Sequence, residues 1–576
     1  MSKRHLSPHE LPASKRLHTT HTNPSHRSSS LVESLYDELI LSIFSFLSWD
    51  DLCVVQSINR NWARLALDNE LWRRQYFLVY GKTRLRGSRG PVGRSDGKEI
   101  KPLPARARSQ DSSYKDWKWM FRISSNWRKG RCLVEEPLGR SIESSPQTGD
   151  HDTCGSHLLL TGALTILAST RPSYEPRIYI TGPTQSCSLV CKPKENVCSK
   201  VTTMAINQHP VATGHCKVIA FLSTGEFVHH EFQHDPVLIP FESFRYTPTR
   251  ENRSYPVIQA AYHYPLLVTL AQNFTISLFD LESETVKLTQ TLSSFTSYPP
   301  VSLILSMPSS TIYKLVLTYA IPVYPRHWTV GATELLISGP KMIASPSLPE
   351  GDSSKLLWAS QNLTALSTRT TRAIDVPFGW IDERKLRAMR EQWNRKVTRV
   401  ADIRTDGKWV ILASGDQLPG VEDSSASPRL PSGPSCPSPS SDSDSRDNLN
   451  NNLFTPSSLH SPTSLQVYRL IFPPHTSISS PLPRLSFVRT LHGQTGPIVA
   501  LALSDGRCVS LSLNGSVWVW DLETATSAEV AAANCNATGD LAFGPDALPL
   551  RRSVSFDERR LVIAQGDSVV VRRFDV

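Results

Sequence analysis

The sequence has no long hydrophobic run. Its longest apolar stretch, near residues 158–168, contains Thr161 and Gly162 and is too short to span a bilayer. The ten cysteines form no regular disulfide framework, and we expect no signal peptide before them. These absences argue against a membrane-spanning protein and a disulfide-stapled secreted domain, and they favour an intracellular protein, cytoplasmic or nuclear.

Motifs for chemistry are also scarce. The chain has no nucleophile elbow, zincin motif, kinase loop or dinucleotide fingerprint. Residues 93–98 have the wrong glycine spacing for a phosphate loop, and Glu99 follows where Ser or Thr must hold the metal. The residues that come closest to a zinc-binding motif lack its paired Cys-x-x-Cys spacing: Cys187, Cys191, Cys198, His215 and Cys216. We therefore expect a protein that is not an enzyme and that holds no metal or cofactor.

The positive charge is confined to parts of the chain that do not read as folded. The net charge is +10, and the basic excess lies in residues 1–30 and 82–131, so nucleic-acid binding is not favoured. Lys3-Arg4 and Lys15-Arg16 are compatible with a split nuclear import signal. A solvated, disordered tail over residues 1–30 is the interpretation that we favour.

Residues 31–80 carry the period of amphipathic helices. Apolar residues recur every four positions along the first segment: Leu35, Leu39, Ile43 and Leu47, flanked by Ile40, Phe44 and Phe46. Ser48 can cap a second helix, a third helix runs near residues 58–67, and Asp68 can cap a last helix that ends at Gly81. So small a module cannot bury all these side chains, which favours a partner surface over packing on the following domain.

This module resembles the F-box. The matching positions are Leu35-Tyr36-Asp37-Glu38, the apolar run 43–47, Asp51-Leu52 and Trp62, with Tyr36 standing where the family usually has Pro. The resemblance implies a three-helix F-box that docks on the Skp-family adaptor of an SCF (cullin–RING) ubiquitin ligase. The residues expected to bind the adaptor are Leu35, Leu39, Ile43, Phe44, Leu47, Leu52 and Trp62.

Residues 81–131 form a basic linker and a connector helix. Residues 82–108 are rich in Gly, Pro, Ser and Arg and are predicted to be disordered, whereas residues 114–122 are predicted to be helical. The following run, Asn126-Trp127-Arg128-Lys129-Gly130, resembles the passage that joins an F-box to a WD-repeat domain. Stacking of its Trp and Arg side chains on nucleic-acid bases is the weaker alternative.

Residues 132–576 change to short apolar runs separated by turns. The clearest unit contains runs 498–503 and 508–513, a tight Asn514-Gly515 turn, and the ending Trp520-Asp521. We interpret His492-Gly493 as an altered form of the Gly-His pair that begins such a propeller blade. Less regular copies lie over residues 204–232, 260–281, 400–470 and 553–574, and weaker runs lie near residues 158–180, 301–337 and 356–367. The expected fold class is therefore mainly β, a WD-repeat-like propeller of about seven blades behind a small all-α module.

Two insertions interrupt the β-rich region. Residues 415–463 are rich in Ser, Pro and Asp and are predicted to loop out of one blade as a disordered segment. Possible proline-directed phosphorylation sites stand before prolines there, as they also do by chance in such tracts: Ser427, Ser438, Thr455 and Ser461. A second insertion, residues 381–397, is charged and predicted to be helical.

The resemblance implies a substrate receptor. The F-box would bind the ligase, and the propeller face would bind target proteins, phosphorylated ones among them, for ubiquitination and proteasomal degradation. The alternative is a non-catalytic WD-repeat scaffold that acts outside a ubiquitin ligase.

Overall fold

The computed structural model describes residues 35–81, 116–135, 156–182, 185–208, 215–233, 239–248, 255–282, 286–294, 296–309, 311–323, 327–339, 341–342, 358–359, 363–374, 382–415, 461–473, 482–533, 552–565 and 568–576. The chain divides into two compact units between Leu78 and Val79. The predicted tail, most of the basic linker and residues 416–460 lie outside the described residues.

The first unit is a bundle of short helices, as predicted. Its elements are α1 (Asp37–Phe44), α2 (Trp49–Val55), α3 (Arg60–Ala66) and α4 (Asn69–Tyr76), after which a π-helical turn spans Phe77–Gly81. Ser48 and Asp51 form a reciprocal capping box at the start of α2. Asp68 Oδ1 accepts hydrogen bonds from the backbone N–H groups of Glu70 and Leu71. Both predicted caps therefore set where these helices begin.

The second unit begins with helix α5 (Trp117–Lys129) and strand β1 (Leu133–Glu135), followed by the blades. The first blade contains β2 (Ser156–Thr161), β3 (Leu164–Ser169), β4 (Arg177–Thr181) and β5 (Ser186–Val190). The second contains β6 (Val201–Ile206), β7 (His215–Leu222), β8 (Phe227–Gln233) and β9 (Ile239–Tyr246). The third contains β10 (Val257–His263), β11 (Leu266–Ala271), β12 (Thr275–Asp280) and β13 (Lys287–Ser293).

The fourth blade has the longest strands. It contains β14 (Tyr298–Ser309), β15 (Ile312–Val323), β16 (His327–Ser338) and β19 (Ala365–Arg372), and a small ladder of β17 (Lys341–Met342) with β18 (Trp358–Ala359) lies between the last two. Helix α6 (Glu383–Trp393) follows. The fifth blade contains β20 (Val400–Thr405), β21 (Trp409–Ser414), β22 (Leu465–Ile471) and β23 (Arg484–Leu491). The sixth contains β24 (Ile498–Ser504), β25 (Arg507–Ser512), β26 (Val517–Asp521) and β27 (Thr526–Ala531).

The seventh blade joins the two ends of the propeller. Its three C-terminal strands are β28 (Ser553–Phe556), β29 (Arg560–Gln565) and β30 (Ser568–Arg573), and its fourth strand is β1. Leu133 pairs with Arg573 across this seam, and the Glu135 carboxylate lies 3.0 Å from Arg573 Nη1. The sequence pattern placed the last blade over residues 553–574 alone. The structure instead takes the outer strand from the start of the unit, which closes the ring by pairing distant segments.

Seven four-stranded antiparallel sheets therefore confirm the predicted propeller. Apolar clusters fill the space between neighbouring blades, and every residue of β11 and β21 is buried. Buried polar groups also join blades five and six, since the Asp402 carboxylate accepts the N–H of Leu501 at 2.9 Å. A carboxylate with such donors can be buried without leaving a hydrogen bond unmade.

The sixth blade corrects one sequence interpretation. Trp520 Nε1 donates to Ser510 Oγ at 2.8 Å, and Ser510 Oγ donates to Gln494 Oε1. Gln494 is buried and also donates to the carbonyl oxygen of Ser516. The pair that begins this blade is therefore Gly493-Gln494, with Gln in the place of His, and not His492-Gly493.

Strand direction assigns the loops to two faces of the ring. Because the strands alternate, the loops between second and third strands share one face with the loops between blades; we call it the insertion face. The remaining loops lie on the opposite face, called the connector face. Helix α6 lies between blades four and five, and residues 416–460 leave β21 and rejoin at β22, so both attach at the insertion face. None of the described helices is long and apolar enough to cross a membrane.

Candidate adaptor-binding surface and connector

Helix α1 has one face in the core of the module and another in solvent. Ile40 and Phe44 are 3% and 2% exposed, and the Phe44 ring meets Trp62 edge-on at a centroid distance of 5.6 Å. Leu39 and Ile43, one position earlier in each turn, are 51% and 52% exposed. The surface that α1 offers is therefore centred on Leu39 and Ile43.

Two of the residues expected to bind the adaptor lie in the core of the module. Phe44 and Leu52 are buried, whereas Leu35, Leu47 and Trp62 are half-buried. Ile40 and Phe44 are four residues apart, so they lie on the same side of α1, and this side faces the core of the module. Leu52 lies on the inner side of α2, together with Val55. Phe44 and Leu52 therefore pack the helices together, and their role in adaptor binding stays a prediction.

The list of expected adaptor-binding residues left out other exposed apolar side chains. Tyr36 is 77% exposed and Phe46 is 82% exposed. With Leu39 and Ile43 they follow one another at spacings of three and four, so they continue one side of the helix; we call these four residues the α1 stripe. The spacing of three and four residues was the sequence signal that could have identified Tyr36 and Phe46 as part of this surface. Further exposed apolar residues of the module are Val54, Ile58 and Leu67.

Hydrogen bonds fix α1 against its neighbours. Arg64 of α3 donates to the Asp37 carboxylate, and this hydrogen bond lowers the pKa of Asp37. Gln75 of α4 is buried and donates through Nε2 to the Leu47 carbonyl oxygen at 2.7 Å. The Trp72 indole N–H donates to the Ala66 carbonyl oxygen at 2.8 Å. These contacts hold the α1 stripe in a fixed position on the module.

Tyr36→Pro should stabilise the start of α1. Tyr36 is the N-cap residue with φ −65° and ψ 147°, and proline imposes a φ close to that value. Restricting the unfolded chain should add about 0.4–1 kcal/mol of stability. Hydrogen exchange of the α1 amides should slow by about two- to fivefold. Faster exchange would show that the tyrosine side chain contributes more than the restricted backbone.

Helix α5 is docked on the propeller by its last turns. The Trp127 ring stacks on Phe574 at a centroid distance of 3.6 Å, and its N–H donates to the Glu558 carbonyl oxygen at 2.8 Å. Asn126 Nδ2 donates to the carbonyl oxygen of Phe574 at 2.9 Å and to that of Val576 at 3.2 Å. Because Glu558 lies in the loop between β28 and β29, these contacts are on the connector face.

Gly130 ends α5 for two physical reasons. Its φ of +68° lies in the left-handed region that favours glycine. A Cβ atom there would also clash with the Glu529 carbonyl oxygen of β27. The contacts of Asn126, Trp127 and Gly130 therefore account for the Asn126-Trp127-Arg128-Lys129-Gly130 run. Strand β1 begins three residues after Gly130 and closes the ring.

Two buried histidines, His229 and His230, lie side by side in β8. The His229 ring stacks on Phe244 at 4.6 Å, and its Nε2 lies 3.4 Å from the Tyr262 hydroxyl. Burial lowers the pKa of His229 to about 4, and burial also lowers the pKa of His230. Both are therefore neutral in the folded chain near neutral pH.

Acid should consequently destabilise the propeller. Below the ordinary pKa of about 6.5 the unfolded chain takes up protons that the folded chain excludes. Stability is then present above that value and is lost as the pH falls towards 4. For His229 alone the loss at pH 5 is roughly 2 kcal/mol. Urea denaturation at pH 7 and pH 5 measures it, and His229→Phe should reduce the difference. An unchanged difference in that variant would exclude His229 as the cause.

Of the cysteines considered for zinc, Cys191 and Cys216 lie in the apolar cluster between blades one and two, whereas Cys198 is exposed. Cys191 and Cys216 are buried, and burial raises the pKa of each thiol to about 12. Among the residues that the structure describes, no group of three or more His, Cys, Asp and Glu side chains could hold a metal ion. Of the possible phosphorylation sites, Ser461 is exposed, with its hydroxyl 2.6 Å from that of Thr463. Ser427, Ser438 and Thr455 lie outside the described residues.

Comparison with known proteins agrees with both units. Residues 33–78 match the F-box-like family, and residues 181–373 match the family described as F-box protein pof12 beta-propeller. The chain is therefore similar to F-box proteins over its helical module and to an F-box protein β-propeller over residues 181–373.

Similar sequences have F-box names. F-box/LRR-repeat protein 5 of Xenopus tropicalis is 31% identical over 93 residues, which cover 16% of this chain and 14% of that protein. An F-box protein of Saccharomyces cerevisiae is 29% identical over 127 residues, covering 19% of this chain and 18% of that protein. The chain thus matches less than a fifth of the length of these relatives. The crystal structure of the WD40 beta propeller domain of Doa1 aligns at 10% identity and a TM-score of 0.33, over 76% of this chain and 97% of that one.

Proposed function

We propose that this chain is the substrate-recognition subunit of an SCF-type (cullin–RING) E3 ubiquitin ligase. The module over residues 31–80 binds the Skp-family adaptor, and the propeller over residues 132–576 binds proteins that are to be ubiquitinated and degraded by the proteasome. The α1 stripe is the observation that carries the proposal, since Leu39 and Ile43 stay half exposed on a module whose core is already filled.

The physical argument is one of apolar area. Burial of an exposed Leu or Ile side chain contributes roughly 1.5–3 kcal/mol in full, and the α1 stripe adds two large aromatic side chains to such a pair. The stripe is rimmed by polar groups, including the Asp37–Arg64 ion pair at one end and the Arg74 guanidinium 6.0 Å from the Phe46 ring at the other. An apolar centre with a polar rim is the usual composition of a protein–protein interface.

The chain's own contribution to the reaction is to bring molecules together. A target held on the propeller has its lysines near the ubiquitin-charged enzyme, so the acceleration comes from proximity and orientation rather than from bond-making residues here. No disulfide bond joins the seven described cysteines, which suits a reducing compartment inside the cell.

Reconstitution with purified proteins tests the proposal. The full chain is mixed with a Skp-family adaptor and a cullin, and the mixture is separated by size-exclusion chromatography with mass determination. We expect one complex that contains all three proteins. A complex with the adaptor that excludes cullin would support the alternative, a scaffold outside a ligase, and absence of adaptor binding would overturn the assignment.

A further inference from the structure

Helix α6 offers a basic surface at the insertion face. None of its residues is buried, and Arg384, Lys385, Arg387 and Arg390 are all exposed. None of these four forms an ion pair with a residue that the structure describes. An exposed helix that places no side chain in the propeller core is not explained by the packing of the ring.

The helix is nevertheless held in place at its C-terminal end. The backbone groups of Val397 and Trp328 exchange hydrogen bonds of 2.7 and 3.0 Å, which attach the chain after α6 to β16. The Arg395 guanidinium lies 4.2 Å from the centroid of the Phe487 ring. The basic side chains of α6 are therefore presented from an anchored element.

Both ends of residues 416–460 meet this same anchor. The Gly415 N–H, immediately before the segment, donates to the Arg399 carbonyl oxygen at 2.8 Å. After the segment, the buried Gln466 donates through Nε2 to the Arg395 carbonyl oxygen at 3.0 Å. The segment thus leaves and rejoins the ring beside α6.

The charge of the segment is opposite to that of the helix. Residues 416–460 contain two basic residues, Arg429 and Arg446, against six acidic ones: Asp416, Glu422, Asp423, Asp442, Asp444 and Asp447. The segment also carries Ser427, Ser438 and Thr455 before prolines, and phosphorylation would add about 1.5–2 negative charges at each. Arginine side chains bind phosphate groups in a bidentate manner.

We propose that the basic side of α6 is the docking surface for this chain's own residues 416–460, and that phosphorylation of the segment strengthens the docking. Tethering at both ends keeps the segment at a high effective concentration beside α6, so weak ion pairs suffice. The inference does not rest on the proposed ligase role.

Carbodiimide cross-linking of the full chain tests the docking. This reagent joins an amine to a carboxylate only when the two are in contact, and mass spectrometry identifies the joined residues. We expect Lys385 to be joined to acidic residues of 416–460. The triple variant Arg384→Glu, Arg387→Glu, Arg390→Glu keeps Lys385 and should lower the yield about tenfold. Arg484→Glu, an exposed charge reversal on β23 at the opposite end of blade five, should leave the yield unchanged.

Phosphorylation supplies the second comparison. Full chain phosphorylated at Ser427, Ser438 and Thr455 by a proline-directed kinase should give a higher yield of the Lys385 cross-link than the same chain after phosphatase treatment. An equal yield in the triple variant would overturn the proposal, because tethering alone would then explain the contact. Cross-links that join isotopically distinct copies of the chain would also overturn it, in favour of an intermolecular contact.

Discussion

Trp127→Ala should lower the free energy of unfolding of the propeller by about 3–5 kcal/mol. The side chain is 2% exposed, stacks on Phe574 and lies in one apolar cluster with strands of blades six and seven. Its loss leaves a cavity under α5 and leaves the Glu558 carbonyl oxygen without the indole donor. The Arg507 guanidinium, 4.5 Å from the centre of this ring, loses a cation–π contact as well.

Urea denaturation followed by circular dichroism measures this effect. Tyr174→Ala is the matched control, because that aromatic side chain also belongs to the propeller but is 62% exposed, and it should change stability by less than about 0.5 kcal/mol. Hydrogen exchange should show the greatest loss of protection in β1 and β30, whose pairing closes the ring. A Trp127→Ala chain as stable as the control would show that α5 does not secure the closure.

Blades could be predicted from the sequence where a turn motif and an aromatic strand ending occur together. In blade six, Asn514-Gly515 marks a turn with φ of +83° at Gly515, and Trp520 marks the strand that follows. The sequence did not reveal the role of Gln494, because only the hydrogen bonds of Ser510 and Trp520 show that this glutamine takes the place of histidine. The sequence did not predict the fourth strand of blade seven for a different reason. Strand β1 is a short segment whose partner, β30, lies at the other end of the chain, and local pattern carries no information about such pairing.

For the helical module, the sequence predicted the existence of α1 but not its rotation. A mixed run of apolar residues at 35, 39, 40, 43, 44, 46 and 47 is compatible with several directions of the core. Contacts with α3 decide between them, since the edge-on contact of Phe44 with Trp62 and the Asp37–Arg64 ion pair turn Leu39 and Ile43 outwards. The candidate surface therefore shifted from Phe44 and Leu52 to Tyr36 and Phe46, while Leu39 and Ile43 remained.

The double variant Leu39→Ser, Ile43→Ser should weaken binding of the Skp-family adaptor by at least about 100-fold. Both side chains lie in the middle of the α1 stripe, where central apolar contacts contribute most of an interface's binding free energy. Because each is about half exposed before binding, each substitution removes about half of the 1.5–3 kcal/mol of full burial, so the pair should cost the module itself about 1.5–3 kcal/mol.

Titration of the purified adaptor into the full-length chain, followed by calorimetry, measures the affinity. Leu366→Ser is the matched control, since Leu366 is 59% exposed on β19 of the propeller, and its affinity should equal that of the unchanged chain. Phe44→Ala separates a contact from a fold effect, because removal of this buried ring should loosen α1 as judged by hydrogen exchange, whereas the double serine variant should keep α1 protected. If the double variant binds as tightly as the Leu366→Ser chain, then the α1 stripe is not the adaptor-binding surface. If binding is lost only together with α1 protection, then the side chains of Leu39 and Ile43 act by stabilising the helix and not by contacting a partner.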